Sequence, residues 1–476
     1  MDEPIRNKTG LFFGREAGFW RESRALLGLA LPIIVGQVLQ NALSVIDVLM
    51  VGRVSVAAVA AASLASALFV VPLVFGFGVL GPFSVLVAGA AARGSTTETI
   101  HHLRRGLNVA LVLGMLLAVV ITVLSGFIGC LHQPPAILAQ ARPFLLLLTW
   151  SLVPMYLFQI LKQYCEALHT AWPPMVILVL GVAINSSLNW IFIFGHLHFP
   201  ALGLLGAGWA TCTTRLLMLA MMSVVVLRIH FPVASLRREL RHGAFHWAGY
   251  RQLLNLGVPA GVQVILEVGA FTFTAIMMGW ISETALAAHQ VAISVVSTTF
   301  MVALGISMAI SIRVSHAIGS NNFALARQSI RAALFVTGAL MVTMAGVICL
   351  NGRTLAGWFV HDPRVMAVAA QILFIGGLFQ IFDGLQVVCA GSLRGLHDIK
   401  VPTLINLCGY WLVGLPLAYW LGFRMHLGPS GIWWGMLTGL ALLAGLLLTR
   451  LKFILSRFKT EREKQVGPRA RQELAV

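Results

Sequence analysis

Three carboxylates of this chain stand where carboxylates are expensive. Asp47, Glu267 and Asp383 each lie inside an apolar stretch long enough to cross a bilayer. Glu267 sits near the middle of VQVILEVGAFTFTAIMMG (262–279), which contains no Lys or Arg. Insertion scales put a carboxylate at the bilayer centre at about 2.5–3.5 kcal/mol, so such groups face the bundle interior and carry a function. Desolvation disfavours the charged form, and a buried acid therefore gains by binding H⁺, Na⁺ or a cationic organic molecule. The competing reading is structural glue, an acid bonded to backbone or hydroxyl groups. Three acids, two of them in corresponding spans of an internal repeat, weigh against it.

Helical spacing gathers further polar groups around these acids. Gln37, Gln40, Ser44 and Asp47 fall at i, i+3, i+7 and i+10, one face of a helix, and Gln263, Glu267, Ala270 and Thr274 fall at i, i+4, i+7 and i+11. Lipid would reject either stripe, so both belong toward the bundle interior or a cleft. Asn185 and Asn189 stand one turn apart, with Ser186 and Ser187 beside them. Their oxygens suit a small hard cation or a protonated acid, and helix packing explains them equally well. Thr211 and Thr213 are weaker candidates of the same kind. Arg215 lies within a span, where pairing with an acid and snorkelling both stay open. Lys162 and Glu166 read as a surface i, i+4 ion pair at a cytoplasmic helix end, and His289 as a satisfied interior histidine rather than a proton relay.

The elements that must position these groups are membrane helices. The chain is 58% hydrophobic and only 10% charged, against about 25% charged residues in a soluble domain. Twelve apolar stretches of about 20 residues or more match a hydrocarbon core of about 30 Å. They run at 25–50, 57–86, 106–131, 143–166, 174–195, 205–229, 254–280, 287–312, 331–351, 367–391, 401–423 and 431–455. The net charge of +17 would suit a nucleic-acid binder, but its placement is topological. With the N-terminus cytoplasmic, 27 of the 33 Lys and Arg fall on the cytoplasmic side and five on the other, with Arg215 inside a span. This is the positive-inside rule with both termini cytoplasmic; no nucleic-acid partner is expected. No cleavable leader is evident, and six scattered cysteines and short loop histidines predict neither a disulfide framework nor a zinc site.

The twelve stretches form a duplication. A shift of 227 positions lays LALPIIVGQVLQNALSVIDVLMVGRVSVAAVAAA over LGVPAGVQVILEVGAFTFTAIMMGWISETALAAH without a gap, pairing Pro32 with Pro259, Gln40 with Glu267, Asp47 with Thr274 and Ser55 with Ser282. LFQI recurs at 157–160 and 378–381, and GLLGAGW (203–209) matches GPSGIWW (428–434) in its glycines and last Trp. A direct repeat with six spans per half relates the halves by an axis along the membrane normal and implies a cleft on that axis. The predicted architecture is an all-α polytopic membrane protein of twelve transmembrane helices in two six-helix lobes. Residues 1–24 form a cytoplasmic segment, 25–230 the first lobe, 231–250 a charged cytoplasmic linker, 251–455 the second lobe and 456–476 a basic tail.

The segments LPIIVGQVLQNALSVIDVLMVGRVS, GVPAGVQVILEVGAFTFTAIMMGWISETALAAHQVA, LGISMAISIRVSHAIG and FQIFDGLQVVCAGSLRGLHD resemble the MATE (multidrug and toxic compound extrusion) transporters, in particular their NorM branch. The resemblance spans roughly residues 25–455. It implies export of organic, often cationic, drugs and dyes against inward flow of Na⁺ or H⁺, across the inner membrane, with no enzymatic activity and no cofactor besides the coupling ion. By the same resemblance Glu267 and Asp383 match the ion-coupling carboxylates, holding Na⁺ if the protein is sodium-coupled. Asp47 matches the acid of the first lobe, and Asn185 and Asn189 the polar residues near it. Gln40, Gln263, Thr274 and Thr211 complete the expected polar lining. Na⁺ against H⁺, the natural substrate, the oligomeric state and the role of Arg215 stay open. The alternative is a lipid-linked oligosaccharide flippase of related architecture, whose cleft would favour Arg and Lys for pyrophosphate. The ATP-pump signature G-x-x-x-x-G-K-[ST] does not occur.

Overall fold

The computed structural model describes residues 10–131, 133–229 and 247–465. The expected linker lies largely outside these residues, as do the extreme N-terminus and the end of the basic tail. The described residues are helical, with no β-strand among them. The helices are α1 (Gly10–Val51), α2 (Val56–Leu80), α3 (Phe83–Ala92), α4 (Thr96–Ser125), α5 (Pro135–Trp150), α6 (Leu152–Ala167), α7 (Trp172–Phe194), α8 (Leu204–Ile229), α9 (Trp247–Ile281), α10 (Glu283–Gly319), α11 (Phe323–Gly357), α12 (Pro363–Gly395), α13 (Lys400–Leu407), α14 (Leu415–Tyr419) and α15 (Gly428–Gln465). Pairing α2 with α3, α5 with α6 and α13 with α14 makes twelve helical spans among the described residues that are long and apolar enough to cross a membrane, six from each half of the chain.

Local chemistry sets where these helices begin and bend. Ser55 caps α2 by accepting from Ala58 N at 3.0 Å, and its repeat partner Ser282 caps α10 by accepting from Ala285 N at 3.0 Å. Each satisfies an orphan amide at a helix start. The duplication thus extends to the capping atoms. Around Pro416 the eleventh span widens into π-helical turns, Cys408–Gly414 and Trp420–Arg424. A proline inside a helix lacks its N–H and crowds the carbonyl four residues back, and a π-bulge relieves both.

The chain forms two compact units. One contains residues 32–273 and 399–407; the other contains residues 1–31, 274–398 and 408–476. In the first, α6 is the central helix, packed against α2, α3, α4 and α8. Gly76 of α2 leaves room for the Tyr156 ring, whose hydroxyl donates to Pro72 O at 2.7 Å. On α4 the buried face is Gly106, Ala110, Gly114 and Ala118, while Val112, Leu116, Val119 and Val123 on the opposite face are half or more exposed. This is the pattern lipid selects: large apolar groups outward, small residues where helices meet.

In the second unit α12 takes the central place, against α10, α11 and α15. Gly377, Gly384 and Gly391, spaced by seven, bring its backbone against Cys349, Met341 and Ser307. Spans four and ten, repeat-related in sequence, are thus the hubs of the two units.

Candidate functional site

The first cluster is built on Asp47. Asn189 Nδ2 donates to Asp47 Oδ1 at 2.6 Å, and Thr211 Oγ1 donates to Asp47 Oδ2 at 3.0 Å. Asn189 Nδ2 also donates to Asn185 Oδ1 at 3.2 Å, one turn back on α7. Asn185, Asn189 and Thr211 are buried, and Asn189 Oδ1 has no hydrogen-bond partner among the described residues. Three helices thus converge, α1 with the acid, α7 with two amides and α8 with a hydroxyl. The oxygens form a hard donor set suited to a small cation. The same contacts hold the carboxylate through two of its roughly four lone-pair sites, leaving room for a proton or an ion.

Arg215 stands one turn beyond Thr211 on α8. Its Nη1 donates to Ser151 Oγ at 2.5 Å, and the guanidinium lies 5.6 Å from the Phe69 ring centroid. Its charge also bears on the Asp47 carboxylate, and its hydrogen bond braces the α5–α6 junction against α8. A groove of 620 Å³ beside this brace is lined by Leu147, Trp150, Pro154, Trp209 and Leu216 among others. It contains none of the acids.

Asp383 occupies the middle of α12 and is 3% exposed. Gln386 Nε2 donates to its Oδ1 at 3.3 Å, and among the described residues no Lys, Arg or His lies within ion-pair distance of it. A turn earlier, buried Gln380 donates to Val296 O at 2.8 Å and to Thr299 Oγ1. Glu267 is partly buried on α9, with Gln263 buried on the same face. Gln263 and Glu267 fall in the unit of residues 32–273, whereas Thr274, also buried, falls with Asp383 in the other. Gln40 is partly buried on α1, and its Nε2 has no partner among the described residues.

Two sequence expectations need comment. Lys162 and Glu166 are not a surface pair. Both are 1% exposed, with Lys162 Nζ 3.6 Å from Glu166 Oε1 and donating to Gln37 Oε1 at 3.0 Å. Their position at the end of a span suggested water, but α6 is buried nearly all round. His289 is the interior histidine expected: it is buried, and Trp433 Nε1 donates to its Nδ1 at 3.2 Å. A buried cluster at Glu22 escaped the sequence reading altogether. Glu22 Oε1 accepts from Arg313 Nε at 2.8 Å, Arg313 Nη2 at 2.5 Å and Ser329 Oγ at 2.5 Å. Glu22 lies 291 positions from Arg313, and no local spacing links them.

Fold and site together define a duplicated twelve-span helical membrane protein that keeps carboxylates in its interior. The MatE family model matches residues 32–191 and 259–420, and the chain belongs to this family. It is 36% identical over 442 residues to the probable multidrug resistance protein NorM of Mesorhizobium japonicum, covering 90% of this chain and 94% of that one. It is 31% identical to the multidrug resistance protein MdtK of Edwardsiella ictaluri, covering 92% and 96%. Among solved structures it resembles the eukaryotic MATE transporter AtDTX14, with a TM-score of 0.82 at 22% identity over 94% of this chain and 98% of that one. It also resembles a mutant of the Vibrio cholerae MATE transporter VcmN, with a TM-score of 0.82 at 17% identity over 93% and 98%.

Proposed function

We propose that this chain is a secondary active multidrug efflux transporter that exports organic, often cationic, drugs and dyes by antiport with Na⁺ or H⁺. The observation that carries the coupling is Asp383, an acid on a buried helix with a glutamine and, among the described residues, no cation beside it. A carboxylate kept from water lacks solvation that a bound positive species supplies. If ion and drug relieve the same acids, occupancy by one lowers affinity for the other, and this coupling is reciprocal. Glu267 and Asp383 bind the coupling ion, Asp47 with Asn185, Asn189 and Thr211 forms a second cation or proton site, and alternating access exposes them to each side in turn.

The relatives named as multidrug resistance proteins support the substrate class. The flippase reading is not favoured: Arg215 and Lys162, the cations within spans discussed above, are each committed to local partners. Twelve spans among the described residues and the bacterial relatives support a multi-pass protein of the inner membrane, and the lysine and arginine distribution supports both termini being cytoplasmic. The test is export of a fluorescent organic cation from proteoliposomes under separately imposed Na⁺ and pH gradients. Export driven by either gradient supports the reading, and export indifferent to both overturns it.

A further inference from the structure

The LFQI tetrapeptides at 157–160 and 378–381 set a register of 221 between spans four and ten. In that register Gln159 corresponds to Gln380 and Lys162 to Asp383. The structure gives the two pairs matching environments. Both glutamines are buried, 5% and 0% exposed, and each leaves its Oε1 without a partner among the described residues. Lys162 and Asp383 are buried at 1% and 3%. The hub helix of each half therefore carries one buried charge at the same rung, and the charges are opposite.

Around Lys162 the first half has assembled its own neutralised set. Glu166 lies one turn on with its Oε1 3.6 Å away, and Gln37 of α1 accepts from the ammonium at 3.0 Å. Glu166 Oε2 and both polar atoms of Gln163 are buried without partners among the described residues. Lone buried acceptors beside lone buried donors match water, which does both, better than a bare ion of either sign.

We infer that Lys162 is a resident cation: at the rung where the second half carries the acid Asp383 and takes a travelling cation, the first half carries a fixed ammonium paired with Glu166. Glu166 then carries no exchangeable ion, and at this rung coupling is confined to one half of the molecule. Lys162 thereby limits how many coupling ions one transport cycle moves. The inference rests on the coupling reading of Asp383 for its functional meaning. The charge compensation stands on the geometry of Gln37, Lys162 and Glu166.

The test counts cation sites on the full-length protein in nanodiscs by two separate titrations, radiolabelled sodium bound at high pH and protons bound on acidification without sodium. Each is compared between variants, so that a site exchanging one for the other is counted once in each. Lys162→Met is expected to bind one cation more per chain than the wild type, because Glu166 loses its partner. The double variant Lys162→Met/Glu166→Gln is expected to return to the wild-type number, and Glu166→Gln alone to match it. Equal counts for Lys162→Met and wild type, or the loss of one cation in Glu166→Gln, would overturn the proposal. If Lys162→Met fails to reach the membrane, the Glu166→Gln count decides alone. A wild-type count of zero refutes the coupling reading, and the gain in Lys162→Met still judges the resident cation.

Discussion

Asn189 Nδ2 reaches Asp47 Oδ1 at 2.6 Å across 142 residues of chain, while its own carbonyl oxygen stays buried and, among the described residues, unpartnered. The amide thus gives its hydrogens to the acid and to Asn185 and keeps an oxygen in reserve. Asn189→Ala removes a charge-assisted donor worth about 1.5–3 kcal/mol, or about tenfold to a hundredfold in an equilibrium. The sign depends on the ion. Without the donor the carboxylate binds a proton more tightly, whereas Na⁺ loses an amide oxygen ligand and binds more weakly. Apparent ion affinities from transport rates against Na⁺ and H⁺ concentration distinguish the two.

Asp383→Asn preserves shape and removes the charge. Gradient-driven export of a fluorescent cation is expected to fall to background, as it is for Glu267→Gln, while both variants keep the wild-type elution profile in detergent. Gln386→Leu removes the hydrogen bond to Asp383 and not the acid. It is expected to retain export with ion affinity altered by about tenfold. Wild-type rates in Asp383→Asn would remove this acid from the mechanism.

The fold was legible because lipid imposes a long, simple signal: about 20 apolar residues per span, with basic residues gathered on one side. The repeat added order, and Ser55 with Ser282 shows it written down to single capping atoms. The Asp47, Asn185, Asn189 cluster was legible in part, since each residue is polar in an apolar run, although spacing along one helix could not say which helices meet. Lys162 and Glu166 were misread because i, i+4 pairs of opposite charge are common on exposed helix ends. Only α2, α3, α4 and α8 wrapping α6 reveals their burial. Glu22 gave no signal, for its partner comes from the other half of the sequence.

The Glu22 cluster joins α1 to α10 and α11 through one carboxylate oxygen. Phe19 and Trp20 pack edge-on against Phe335 beside it, at 5.6 and 6.2 Å between ring centroids. Removing one member of a buried ion pair strands the other, at about 3 kcal/mol where some exposure remains. Glu22→Leu and Arg313→Met are each expected to lower the thermal unfolding midpoint of the solubilised protein. The double variant is expected to recover most of the loss, since neither charge is then stranded. Additive losses in the double variant would show that the cluster contributes by packing alone.

Close packing of α12 makes a last, sharply local prediction. A Cβ on Gly391 would overlap Ser307 Oγ and its backbone carbonyl oxygen, and Ser307 Oγ itself donates to Val387 O at 2.6 Å. Gly391→Ala must therefore push α10 away from α12 or break that buried bond, at about 1–3 kcal/mol. Gly445, on α15, has nothing within 4 Å of an added Cβ. Gly445→Ala gains the helix preference of alanine, about 0.5–1 kcal/mol, without a clash. Unfolding midpoints of the two variants are expected to move in opposite directions. A stable Gly391→Ala protein would mean that α10 and α12 are not held at the separation seen here.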